Sequence, residues 1–393
     1  MARYQKLKLK QYAPIQERET NESKYWKSYT LSKEEMFYGA PNCIHFNPIR
    51  PRNFIVTGSS RITLYDANTN NSQRSYTRFT DEAYSGKYRY DGKLIVAGDK
   101  SGYLKVLDVT TKVILRQLRK HTSAVRATGW SCDGLHMFSG SDDKTAKVWD
   151  LGTQEVVWDN TKPNSDSNNS HTDYIRSISN SPIASDVFVT GSYDHSVKLW
   201  DTRQGNSCVN TFQHSAPVQH CEITNSGTML LSIAGNELYV WDLLSMNHSH
   251  SNSTTNTTSH TDTQLLHKFA SHQKDISSFC IDTSNNNKVL TCGLDGYIKV
   301  HDMSSMQVVH GMHYKDPLCS IGVSPDSKKL IVGHVNGNLT MRTRVDKKQS
   351  SPSEASEDIN GSSSSSSGAK HYKGLGSAVD LNKNTASPVS SLD

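Results

Sequence analysis

A histidine, a hydroxyl and an aspartate recur at nearly matching intervals in this sequence: His121, Ser139 and Asp143, then His171, Thr190 and Asp194. These are the side-chain types of a nucleophilic hydrolase, in which an imidazole oriented by a carboxylate takes the proton of an attacking hydroxyl. Repetition argues against that chemistry, because an enzyme needs one active site and this constellation occurs more than once. Each set also precedes a tryptophan, Trp149 or Trp200. The pattern therefore predicts a structural tetrad. The aspartate accepts from the imidazole, the imidazole bonds the hydroxyl, and the hydroxyl accepts from the indole N–H. Such a chain satisfies buried polar groups and pins one strand to the next. His248, His250 and His260 are the other metal-capable cluster, but a structural zinc wants four fixed ligands and no cysteine stands near them. No phosphate-binding glycine loop, dinucleotide fingerprint or His-Glu-x-x-His motif occurs. The sequence predicts no catalytic residue, no cofactor and no metal.

The elements that hold the tetrads repeat as well. Short apolar runs lead into a Gly turn and close about ten residues later on an aromatic–Asp pair, as in Gly140 to Asp150 and Gly191 to Asp201. Weaker copies end at Asp66, Asp108, Asp242 and Asp302, and a degenerate one at Arg342. Ends about 40 residues apart, with two longer intervals, match the blade of a WD-repeat propeller. Apolar residues alternate within each copy, between Gly, Asp, Asn and Ser boundaries, which reads as antiparallel strands. In the third copy these fall at Ala124–Trp130, Met137–Gly140, Ala146–Asp150 and Glu155–Asp159. The fold class is all-β: a seven-bladed WD-repeat β-propeller over residues 30–345. A ring must leave no open edge. The seventh copy lacks an outer strand of its own, so Thr30–Phe37, just ahead of the first inner strand Cys43–Phe46, is expected to supply it.

Around the ring the composition changes. Residues 1–29 form a basic arm, with seven Lys/Arg against three acids before residue 28. Hydrophilic loop expansions near 160–170 and 245–263 and a Ser-rich tail over 346–393 cannot bury enough surface to offset ordering entropy, and are expected to be disordered. No apolar run is long enough for a membrane helix, and the N-terminus lacks a signal-peptide core. Seven scattered cysteines suggest reduced thiols inside a cell. A net charge of +5 is too small to declare nucleic-acid binding. Basic residues nevertheless crowd the early blades, at Arg61, Arg78, Arg89, Arg116, Arg119, Lys120, Arg126 and Arg176. Of these, Arg78, Arg116, Arg119 and Lys120 are the candidates for contact with RNA phosphates or an acidic partner. Plain solvation is the competing explanation.

The divergent copies carry a resemblance that the consensus copies do not. Tyr25-Trp26-Lys27-Ser28-Tyr29, Ser59-Ser60-Arg61-Ile62-Thr63-Leu64-Tyr65, Thr77-Arg78-Phe79-Thr80-Asp81, Asp91 to Gly98, Leu115-Arg116-Gln117, Asp186 to His195 and Val332 to Gly337 resemble the U3 small nucleolar RNA-associated protein 15 family, from about residue 4 to residue 345. That family's members are WD-repeat subunits of the small-subunit processome. The resemblance implies a non-enzymatic nucleolar, hence nuclear, scaffold. It would act in 18S rRNA maturation and ribosomal DNA transcription, in contact with other processome WD-repeat proteins, pre-rRNA and the U3 snoRNP. Family members continue into a basic segment and a helical C-terminal domain that helps assembly. Residues 349–393 show only the Ser-rich stretch there, which reads as a truncated or altered C-terminus, so the contacts implied here are those borne by the propeller. The alternative is a WD-repeat adaptor of another complex, such as a ubiquitin-ligase substrate receptor. An accessory docking motif would favour it, and none is seen.

Overall fold

The protein is described by a computed structural model over residues 20–50, 53–160, 170–205, 208–244, 264–285 and 287–345. Seven four-stranded antiparallel sheets follow one another along the chain. The third is built from Val125–Trp130, His136–Ser141, Ala146–Asp150 and Val156–Asp159, within two residues of the sequence reading. Six of the third strands end on the repeat's final aspartate: Arg61–Asp66, Tyr103–Asp108, Ala146–Asp150, Ser196–Asp201, Glu237–Asp242 and Tyr297–Asp302. That residue has a local task. Asp150, for example, accepts from the amides of Gly152 (3.1 Å) and Thr153 (3.0 Å) and so organises the turn to the outer strand.

Burial follows from stacking sheet on sheet. The second strand of every blade is buried almost end to end, as in Phe54, Ile55 and Val56, because a neighbouring blade covers each of its faces. The glycine that opens each strong repeat is needed for that contact. A Cβ on Gly140 would stand 2.6 Å from Cγ2 of Ile175, and one on Gly191 2.9 Å from Cγ1 of Val218. Both clashes are with the inner strand of the following blade, so the glycine sets how closely blades approach. At Gly102, Gly296 and Gly337 the reason is different: φ values of +83°, +77° and +90° sit where other residues are strained.

The ring closes as expected. Tyr29–Met36 pairs antiparallel with Asn338–Arg344, from Tyr29 opposite Arg344 to Met36 opposite Asn338, with one bulge between Leu31 and Lys33. The last blade is therefore made from both ends of the propeller sequence, and the edge exposed by the seventh copy is paired.

The end of the segment read as a basic arm is itself folded. Asn21–Lys27 is a short helix, capped by Thr20, whose Oγ1 accepts from the Ser23 amide at 3.1 Å. Trp26, 1% exposed, stacks on Tyr29 with ring centres 5.5 Å apart. The Tyr29 hydroxyl donates to the Ser327 carbonyl, and Glu22 meets Lys288 at 3.4 Å. The helix thus bolts the closing strand to blades six and seven. The expansions near 160–170 and 245–263, the arm before residue 20 and the tail from 346 lie outside the described residues. At the edges, Ser170 is described, and Asn160 belongs to blade three, where its Oδ1 accepts from the Ala146 amide.

Candidate functional site

The structure brings the residues of both expected tetrads together. In blade three, His121 Nδ1 lies 2.8 Å from Asp143 Oδ2 and Nε2 lies 2.7 Å from Ser139 Oγ, while the Trp149 indole donates to that oxygen at 2.8 Å. In blade four the corresponding distances are 2.7 Å (His171–Asp194), 2.6 Å (His171–Thr190) and 2.7 Å (Trp200 to Thr190). Burial pushes the Asp194 carboxyl up, but the bonds from His171, Ser196 and Thr172 outweigh it and hold the group well below its ordinary range. Burial holds the His171 ring below its ordinary value against the pull of Asp194. A neutral ring beside a carboxylate fixes the donors: Nδ1–H donates to Asp194, and Nε2 accepts from the Thr190 hydroxyl. Ser139 and Thr190 are both 0% exposed and already bonded on two sides. A substrate cannot reach such a hydroxyl, so the arrangement joins strands and does not attack.

The structure adds members that the sequence reading did not assemble. In blade five, His214 bonds Ser232 (2.7 Å), which accepts from Trp241 (2.9 Å). With no aspartate there, His214 Nδ1 lies 3.1 Å from the Phe212 carbonyl. In blade six, His272 spans Asp295 (3.0 Å) and Thr291 (2.8 Å), and His301 takes the place of the tryptophan, 2.9 Å from the same hydroxyl. Blade two replaces the tetrad with a buried ion pair. Lys105 and Asp99 are 1% and 0% exposed and 3.3 Å apart, and Lys105 Nζ also donates to the Arg78 carbonyl at 2.9 Å beneath the Phe79 ring. The only sequence signal was a third-strand lysine shared with Lys147, Lys198 and Lys299.

The basic residues divide into two groups. Arg116 and Arg119 lie on the outer strand Ile114–Arg119 of blade two, with Lys120 next in the chain and Arg78 in the loop that enters the same blade. All four are exposed. Arg119 lies over the Tyr103 ring at 5.0 Å, and Arg116 donates to the Leu115 carbonyl. The structure brings these candidates onto the outside of one blade. Arg126 and Arg176 instead line the mouth of the central channel. Arg89 is bound to Asp91 in the turn after blade two's inner strand.

Burial raises the thiols of Cys43, Cys221, Cys280, Cys292 and Cys319 above their ordinary range, to about 12 for Cys221 and Cys292, and all seven cysteines are unpaired. Among the described residues no three His, Cys, Asp or Glu side chains gather as metal ligands. His248, His250 and His260 lie outside them.

The family model described as "WD domain, G-beta repeat" matches residues 112–150, 165–201 and 263–302, which cover blades three, four and six. Proteins named U3 small nucleolar RNA-associated protein 15, or its homolog, match far more. The Danio rerio protein is 38% identical over 349 residues, or 89% of this chain and 62% of its own length. The Schizosaccharomyces pombe protein is 35% identical over 347 residues (88% and 65%). The Xenopus tropicalis protein is 33% identical over 344 residues (88% and 62%). Over most of its length the chain is a homologue of U3 small nucleolar RNA-associated protein 15. Alignments of this length extend well beyond the three repeats that the family model matches. The chain spans less than two thirds of the length of each of these relatives.

Proposed function

We propose that this protein is a non-enzymatic WD-repeat scaffold of ribosome biogenesis. It works in the nucleolus, as part of the small-subunit processome, in the maturation of 18S rRNA and in support of ribosomal DNA transcription. Its partners are other processome WD-repeat proteins, pre-rRNA and the U3 snoRNP. The observation that carries this reading is similarity to the U3-associated relatives across blades outside the general WD pattern. The tetrads support the non-enzymatic part, because their hydroxyls are sealed and bonded.

A ring of seven sheets offers two ends and a circumference to partners, with little cost of ordering on binding. On the circumference, Arg116 and Arg119 project from the two faces of one edge strand and Lys120 follows it, three exposed cations that can meet phosphates. The test is localisation of the tagged chain together with recovery of pre-rRNA. Nucleolar accumulation with early pre-rRNA is expected; diffuse cytoplasmic staining without pre-rRNA defeats the proposal. Charge reversal at Arg116 and Arg119 is expected to lower RNA recovery and its salt dependence while the ring stays folded.

A further inference from the structure

At the end of the ring where the inner strands begin, three arginines are each laid over a tyrosine. The guanidinium carbon of Arg61 is 4.1 Å from the centre of the Tyr38 ring, that of Arg126 3.8 Å from Tyr84, and that of Arg176 4.4 Å from Tyr193. Stacking fixes the plane of a guanidinium and leaves its edge for planar acceptors. Arg126 directs its Nε to Asp142 Oδ2 at 2.8 Å. Arg176 comes only within 4.0 Å of Asp142 Oδ1. Neither that oxygen nor the Arg176 Nε has a hydrogen-bond partner, although both are shut off from water. The two arginine side chains are 24% and 23% exposed and line a channel cavity of about 340 Å³. Two largely desolvated cations share one carboxylate here, and half of the expected pairing is missing.

We propose that this channel mouth binds the side-chain carboxylate of an acidic peptide segment in a partner protein. The inference rests on the scaffold reading and adds where a protein partner docks and by what chemistry. A carboxylate is planar and matches the edge of the Arg176 guanidinium in two parallel hydrogen bonds. A peptide also brings N–H donors, which the accessible side of the Asp142 carboxylate, 14% exposed, can take and a phosphodiester does not offer. The charges converge on one point at the channel wall, whereas a nucleic-acid backbone is met by cations spread along its path. Tyr193 already donates to Gln219 at 3.0 Å, so the platform under Arg176 is held before any ligand arrives.

The test is fluorescence anisotropy on the full chain with a labelled peptide alternating Glu and Gly, its Gln counterpart and a labelled single-stranded RNA. The Glu peptide is expected to bind and the Gln peptide to fail. R176Q is expected to weaken the Glu peptide about ten-fold or more while leaving RNA affinity unchanged and the fold native, because Arg176 has no internal hydrogen bond to lose and only its stack on Tyr193 goes. R126Q is expected to weaken it as well; since it also frees Asp142, it is read only if its melting curve is native. No binding of the Glu peptide to the parent chain overturns the proposal, and so does equal binding by R176Q. Displacement of the peptide by RNA, with RNA affinity lost in R176Q, overturns it in favour of a phosphate site. Each result is independent of nucleolar localisation, so this site and the processome reading can fail separately.

Discussion

Replacing Asp194 with alanine tests whether the tetrad is a strut. The carboxylate accepts from His171 Nδ1 at 2.7 Å, from the Ser196 amide (3.0 Å) and hydroxyl (2.6 Å), and from the Thr172 amide (3.1 Å). The Thr172 amide stands at an exposed turn and finds water. The His171 ring is buried, so its N–H loses its acceptor, which costs about 1–3 kcal/mol. Ser196 Oγ, 3.5 Å from His171 Nδ1, can turn towards the ring and recover part of that, so the total stays in the same range of about 1–3 kcal/mol. For a body of this size the melting temperature should fall by about 1–5 °C. Asp194→Asn keeps an acceptor in place and should cost about half as much. Because the Asp194 carboxyl lies below its ordinary range in the folded chain, it also contributes stability that disappears as pH falls below about 4. The alanine variant should show a shallower acid limb. Urea unfolding followed by tryptophan fluorescence, at several pH values, measures both effects. An Asp194→Ala protein with parental stability and a parental acid limb would refute the strut.

Lys105→Met should cost about 3–5 kcal/mol by stranding the fully buried Asp99, and adding Asp99→Asn should restore much of it in the same urea assay. Trp26→Ala should cost about 3–5 kcal/mol by emptying the stack beneath the closing strand, while deletion of residues 1–38 should open the ring and cause aggregation seen by light scattering. Burial holds His214 near 4 and His301 near 3, so the unfolded chain takes up their protons first as pH falls below about 6.5. Stability should therefore drop between about pH 6.5 and 4, by about 1.4 kcal/mol per pH unit for each ring, and His301→Gln should remove one ring's share of that slope.

The blades were legible because their signals are local. A strand's alternation, its glycine and its closing aspartate lie within a dozen residues, and Asp150 or Gly140 acts on groups close in sequence or on the next blade. The closure was legible by subtraction, since the seventh copy lacked a strand and Thr30–Phe37 was unused; the observed strand is Tyr29–Met36. The helix Asn21–Lys27 was missed because its seven residues are mostly polar and too few to show a period. A Thr cap followed by a lone Trp26 was the available sign. The tetrads of blades five and six were hidden because one partner had changed in each: no aspartate for His214, and His301 in place of an indole. The positions of Arg116 and Arg119 could not be read from alternation. The outer strand Ile114–Arg119 buries only Leu118, so both of its faces are open and period two carries no information.

The pairing of Tyr29–Met36 with Asn338–Arg344 also sets a timetable. On a ribosome the first of these segments emerges about 300 residues before the second, an interval of roughly 15–60 s at 5–20 residues per second. Throughout that interval an eight-residue strand and the helix carrying Trp26 have no blade to join, while the blades between them can form one after another from local contacts. The last step of folding is then a capture of the oldest segment by the newest. Any factor that shields residues 20–36 during synthesis controls whether the ring closes on itself or on a neighbouring chain.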